Sequence, residues 1–135
     1  MIITAIRNLM IVAGIYYLAW WVISPLFMIH RKITAGIIYN GGIFGSLFMG
    51  IISALPVAIG AFGAGILSPY ILEGTNRKYW IASLSLFYAI TGLAGFSWAQ
   101  QPEMSDRVFQ VIQSIFPAIS CYLGGIIILK THKQK

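Results

Sequence analysis

The fold is decided by the longest uncharged stretch of the chain, residues 36–72, which reads GIIYNGGIFGSLFMGIISALPVAIGAFGAGILSPYIL. A helix needs ~20 apolar residues to cross a hydrocarbon core about 30 Å thick. The stretch exceeds that length but is too short for two crossings and a turn between them. We therefore expect a single long transmembrane helix here, with its core at about residues 43–67.

Three features inside this stretch predict where its helix begins, bends and ends. Residues 40–42, Asn-Gly-Gly, predict a break near the start, and residues 68–69, Ser-Pro, predict the exit turn. Pro56 predicts a kink, because proline removes one helical hydrogen bond. The alternative is a re-entrant or half-broken segment over residues 56–65, which would point to a pore or a substrate path.

The rest of the chain repeats the pattern in three shorter uncharged stretches, at about residues 9–29, 79–99 and 108–129. The first is too long for a signal-peptide core of roughly 7–15 residues, so we expect it to be retained. The chain is 59% hydrophobic and 9% charged, whereas soluble domains carry about 25% charge. Short polar connections make consecutive helices antiparallel neighbours. The sequence predicts an all-α polytopic membrane protein: one domain, residues 1–135, forming an antiparallel bundle of four transmembrane helices with a long, kinked second helix.

The orientation follows from the basic residues that flank the spans, since Lys and Arg are retained on the cytoplasmic side. With four crossings, both termini and the middle loop share one side of the membrane. That side carries six of the nine Lys and Arg residues: Arg7, Arg77, Lys78, Lys130, Lys133 and Lys135. We therefore expect both termini in the cytoplasm, in a bacterial cytoplasmic membrane or another energy-transducing membrane.

A row of small residues recurs at every fourth position of the second span. Small residues let helix backbones approach closely in lipid, where helices gain little from hydrophobic burial against each other. The row either builds the chain's own bundle or leaves a face for a partner or another copy. The predicted packing or partner face comprises this row, Gly42, Ser46, Gly50, Ala54 and Ala58, together with two parallel pairs, Gly60 with Ala64 and Ala61 with Gly65.

The first span carries four aromatic residues near its middle, Tyr16, Tyr17, Trp20 and Trp21. Tyr and Trp each bring a polar O–H or N–H that seeks a partner when it is removed from water. One interpretation is that these side chains fill space opposite the small residues. The other is that they form a wall against a lipid, a quinone, a carotenoid or a chlorin.

The chain offers little for catalysis or metal binding. The predicted spans contain no Asp, Glu, Lys or Arg, and intramembrane acids are the usual marker of proton-coupled transport. We expect His30 to lie at the membrane interface and Cys121 to be a packing residue. We therefore expect no enzyme, no catalytic residue, no metal and no bound cofactor beyond contact with a lipid, quinone or pigment. The basic residues flank the spans, which favours headgroups over nucleic acid as their partner.

Two functions fit this inventory. We expect a non-catalytic small integral membrane subunit, or an assembly or stabilising factor, of a larger membrane complex. Its partners would be membrane lipids and either other membrane subunits or copies of itself. The alternative is a small homo-oligomeric channel or carrier, with a path lined by Pro56 and the glycine-rich segment that follows it.

Overall fold

The computed structural model describes residues 2–34, 42–72, 74, 76–94 and 104–133, and all regular structure in this part of the chain is α-helical. The prediction of an all-helical chain with four helices is confirmed. The helices are α1 (Ile2–Thr34), α2 (Gly42–Ile71), α3 (Arg77–Ala94) and α4 (Met104–Lys133).

Three of these helices contain a segment long and apolar enough to cross a membrane: Ile2–His30 of α1, Leu47–Ile71 of α2 and Arg107–His132 of α4. Helix α3 is not among them within the described residues. It has 18 described residues and begins with Arg77 and Lys78. Positions 95–99 of the span predicted there lie outside the described residues.

Helices α1, α2 and α4 extend past the predicted spans at both ends. Helix α1 has 33 residues, about 50 Å of helix, and so exceeds the hydrocarbon thickness. Helix α2 runs without interruption through Pro56 and Pro69 to Ile71, so the predicted exit turn at residues 68–69 was wrong. The same continuity excludes a re-entrant break between residues 56 and 65.

Proline is tolerated inside α1 and α2 because other donors bond to the carbonyls that it frees. Pro69 cannot donate to the carbonyl of Gly65, and the hydroxyl of Ser68 donates there instead, at 2.9 Å. The pair Ser24-Pro25 repeats this arrangement more weakly, since Ser24 Oγ lies 3.4 Å from the carbonyl oxygen of Trp21. A serine directly before the proline therefore lets the helix continue.

The freed carbonyl at Pro56 has a donor from another helix. Pro56 leaves the carbonyl of Ile52 without its helical partner, and His30 Nε2 lies 2.8 Å from that oxygen. Because a carbonyl only accepts hydrogen bonds, Nε2 is the donor, which fixes the proton on this nitrogen. His30 is half-buried and joins α1 to α2, so it is more than the interfacial residue that the sequence predicted.

Helix α2 forms its most extensive contact with α4, while α3 packs mainly on α4 and α1 mainly on α2. Helix α3 contributes a stripe at positions 81, 84 and 88, which is one face of a helix. The core is thin. Its most deeply buried apolar residues include Val12, Ala61, Leu72, Ile81, Leu84 and Cys121.

The turn between α2 and α3 contains a glycine in the left-handed region of backbone conformation. Gly74 has φ +96°, in the region that favours glycine. The carbonyl of Asn76 then accepts from the amide of Tyr79 at 3.0 Å, which begins α3.

Candidate functional site

The small residues of α2 lie against the chain's own helices. Ala54 and Ala58 are buried, as is Gly50, where an added Cβ would lie 3.2 Å from the carbonyl oxygen of Phe109 in α4. Gly42 and Ser46 lie in the first turns of α2, and their side-chain surroundings lie outside the described residues. The part of the row from Gly50 to Ala58 is therefore occupied by packing within the chain.

The second half of α2 makes the closest helix contacts in the described chain. A Cβ on Gly65 would overlap the backbone carbonyl of Cys121, and a Cβ on Gly124 would lie 2.5 Å from the carbonyl oxygen of Phe62. Glycines from both helices thus allow α2 and α4 to touch backbone to backbone. Ala61 and Ala64 are buried on the same stretch.

Two glycines of α2 have other surroundings. An added Cβ on Gly60 would lie 3.3 Å from the side chain of Ile23, so Gly60 faces α1. Gly63 has open space where a Cβ would be. Of the predicted residues, Gly50 and Gly65 therefore contact α4 and Gly60 contacts α1. Binding of a partner or a second copy through this row stays a prediction, as does a path between copies.

The four aromatic residues of α1 separate into two pairs. Tyr16 is buried and Trp20 is half-buried, and both face the other helices. Tyr17 and Trp21 are 70% and 77% exposed and face outward. The spacing of four residues within each pair puts its members on one helix face, but spacing alone does not tell which face turns inward.

Tyr16 connects α1 to α3. Its hydroxyl donates to Thr91 Oγ1 at 2.9 Å, and the Thr91 hydroxyl in turn donates to the carbonyl of Phe87 at 2.7 Å. The Tyr16 ring makes edge-to-face contacts with Phe87 and Tyr88, at 5.0 and 4.8 Å between ring centres. Tyr16 is thus a structural residue as well as a wall of the site described next.

All four helices line one cavity of about 170 Å³. Its walls are mostly apolar and aromatic, and it lies at the level of Ala54 in α2 and Pro117 in α4. None of its lining residues is charged. They are Tyr16, Trp20, Phe27, Ser53, Ala54, Val57, Tyr88, Thr91, Gly92, Gln113 and Pro117.

The lining residues Tyr88 and Gln113 bring polar groups without a partner in the described part of the chain. Tyr88 is 5% exposed, and its hydroxyl is buried without a hydrogen bond to any described residue. Gln113 is half-buried, and its carboxamide has no hydrogen bond to the described residues. Pro117 also removes the helical donor from the Gln113 carbonyl. The cavity thus combines an apolar wall with unused hydrogen-bonding capacity.

The sequence does not single out Tyr88 as a functional residue. Tyr88 is one of seven tyrosines, and nothing in its neighbours along the chain distinguishes it. Its role depends on the packing of α3 against α1 and α4. The available signal was its position on the stripe with Ile81 and Leu84, which indicates burial and no more.

The described residues hold no group of three or more His, Cys, Asp or Glu side chains placed to bind a metal ion. Cys121, the only cysteine of the chain, is buried against α2. Ser85 of α3 donates a hydrogen bond to the carbonyl of Ala118 in α4 at 2.5 Å. The sequence did not predict this bond between helices. These groups serve packing in the described structure.

No family model, no curated protein and no solved structure matches the chain.

Proposed function

We propose that the chain is a non-catalytic small integral membrane subunit, or an assembly or stabilising factor, of a larger membrane complex. The observation that supports this most is the outward face of α1, formed by Met10, Gly14, Tyr17, Leu18 and Trp21. These positions share one side of the helix at spacings of three and four residues. All five are exposed.

The polar groups on this face favour a protein partner over lipid. Tyr17 and Trp21 lie near the middle of the segment that can span the membrane, and both are more than two-thirds exposed. Hydrocarbon offers no acceptor for an indole N–H or a phenol O–H, and Tyr and Trp normally concentrate at the two interfaces. A neighbouring transmembrane helix supplies such acceptors.

Among the three helices that can span a membrane, α1 also has the largest share of its surface outside contacts within the chain. Of the 18-residue apolar stretch by which α1 can span a membrane, 11% is buried by the rest of the chain, against 33% for the corresponding stretches of α2 and α4. Gly14 has open space where a Cβ would be, so a partner backbone can approach it closely. We therefore place the partner surface on α1, whereas the small residues of α2 serve mainly the chain's own bundle.

Photocrosslinking in the native membrane tests this proposal. A photoreactive phenylalanine derivative replaces Leu18 on the outward face, or Leu123 on α4 as the control. The two leucines are 53% and 51% exposed, so exposure alone predicts equal yields. We expect a discrete heavier protein adduct from position 18 only. Lipid adducts alone, or equal protein adducts from both positions, would contradict the proposal.

A pair of glycine variants tests the geometry of the contact. Gly14→Leu should reduce the position-18 adduct strongly, because a leucine side chain separates the two backbones. Gly63→Leu adds the same side chain at an equally open glycine of α2 and should leave the adduct unchanged. A reduction of the same size in both variants would show that the effect is general destabilisation.

A further inference from the structure

We infer that the four-helix cavity is a binding site for a neutral, lipid-soluble molecule that carries a single six-membered ring with carbonyl oxygens, as in a quinone headgroup. This site lies inside the bundle, away from the outward face of α1. The inference therefore holds or fails independently of the proposed function.

The size of the cavity selects one ring. A dry protein cavity of roughly 150 Å³ holds a benzene-sized ligand, and this cavity measures about 170 Å³. Pockets for drug-sized ligands are larger, at roughly 300–1,000 Å³. The cavity is partly open, so a tail attached to the ring can extend outside it.

The walls select a flat, uncharged ring. Tyr16, Trp20 and Phe27 line the cavity with aromatic faces and edges, which suit a planar partner. All the residues that line it are uncharged. An ion placed there would lose its hydration without gaining a counter-charge, so charged ligands are disfavoured.

The polar groups select a hydrogen-bond acceptor on the ring. The Gln113 carboxamide has two N–H donors and no hydrogen bond to the described residues. The Tyr88 hydroxyl is a second donor, buried and without a partner in the described chain, and both residues line the cavity. Buried polar groups are nearly always paired, so an unpaired one beside a cavity indicates a missing occupant. A ring carbonyl supplies the acceptor, which a hydrocarbon chain does not.

Fluorescence quenching tests the inference on the full chain in lipid nanodiscs. The probe is 2,3,5-trimethyl-6-decyl-1,4-benzoquinone, whose fully substituted ring does not add to the thiol of Cys121. Quinone dissolved in lipid quenches tryptophan without saturation, whereas a site beside Trp20 gives a saturable component. We expect that component at one quinone per chain. We expect decyltrimethylbenzene, which carries the same methyl and decyl groups on a six-membered ring without carbonyls, to displace it poorly.

Two conservative variants have matched controls on their own helices. Gln113→Met and Tyr88→Phe each remove a donor, and we expect quinone binding to weaken roughly two- to ten-fold in each. Gln110→Met and Tyr79→Phe make the same changes at residues that do not line the cavity, and they should bind like the wild type. A fall in either cavity variant that spares its control supports the inference. It is overturned by the lack of a saturable component, by equal displacement with the hydrocarbon, or by unchanged binding in both cavity variants.

Discussion

Three carbonyls freed by proline show which residue contacts could be foreseen. The Ser24-Pro25 and Ser68-Pro69 pairs are local, so the donor can be identified along the chain. The bond from His30 to the carbonyl of Ile52 crosses 22 positions and depends on where α1 meets α2. Sequence alone predicted His30 at the interface because its neighbours are Ile29 and Arg31, which say nothing of a partner helix.

A double-mutant cycle tests this bond. His30→Ala should destabilise the protein by at least about 1 kcal/mol, because the carbonyl of Ile52 loses its donor in a partly buried place. In a Pro56→Ala background, the restored N–H of residue 56 bonds to the same carbonyl. The cost of His30→Ala should therefore be clearly smaller in that background.

The measurement is the free energy of unfolding in detergent micelles for the four proteins of the cycle. His30→Ala in a Ser68→Ala background serves as the control, because Ser68 repairs a different carbonyl. Equal costs with and without Pro56 would show that the His30 contact does not compensate for the proline.

At the scale of elements, hydropathy predicted where the helices lie but not where they end. An uncharged run marks the part of a helix that must avoid water, whereas α1 and α4 continue into polar residues. The exit predicted at Pro69 failed because Ser68 bonds to the freed carbonyl and lets α2 reach Ile71. Helix ends depend on such single bonds, which composition does not reveal.

The same limit applies to the glycines of α2. Their spacing predicted rows that allow close contact, and the structure places α4 against several of them. Gly63 and Gly65 have similar neighbours along the chain, yet one faces open space and the other the backbone of Cys121. Which glycine row of α2 contacts which helix depends on how the helices pack, and the spacing of the glycines does not reveal it.

Alanine at these two glycines should have opposite effects. Gly65→Ala should destabilise the bundle by at least about 2 kcal/mol, because its Cβ would overlap a backbone carbonyl that cannot move aside alone. Gly63→Ala should be neutral or stabilising by up to about 1 kcal/mol, because alanine favours helix and finds open space. Thermal unfolding in one detergent compares them, and similar losses in both would contradict the α2–α4 contact.

At the scale of the whole molecule, the cavity could not be predicted because its walls come from all four helices. The sequence did identify Tyr16 and Trp20 as an unusual aromatic pair in the first span. It gave no reason to combine them with Tyr88 or Gln113, which lie about 70 to 100 positions further along. The residues predicted to contact a quinone or pigment thus include two that line the cavity, Tyr16 and Trp20, but neither Tyr88 nor Gln113.

The topology is testable because it depends on whether α3 crosses the membrane. If it does, both termini lie in the cytoplasm, as the flanking basic residues favour. A cysteine at Lys135 should then resist an impermeant maleimide on intact cells, and a cysteine at Lys32 should react. The wild type serves as the control for background labelling, because its one cysteine, Cys121, is buried. Rapid labelling at Lys135 would place the C-terminus outside.

The most direct test of the proposed role is native mass spectrometry of the full chain, extracted from its own membrane with a mild detergent. We expect the chain in a defined complex with at least one different membrane protein, at a fixed stoichiometry that Gly14→Leu disrupts and Gly63→Leu does not. A monomer, or an assembly that contains copies of this chain alone and is indifferent to Gly14→Leu, would contradict the account.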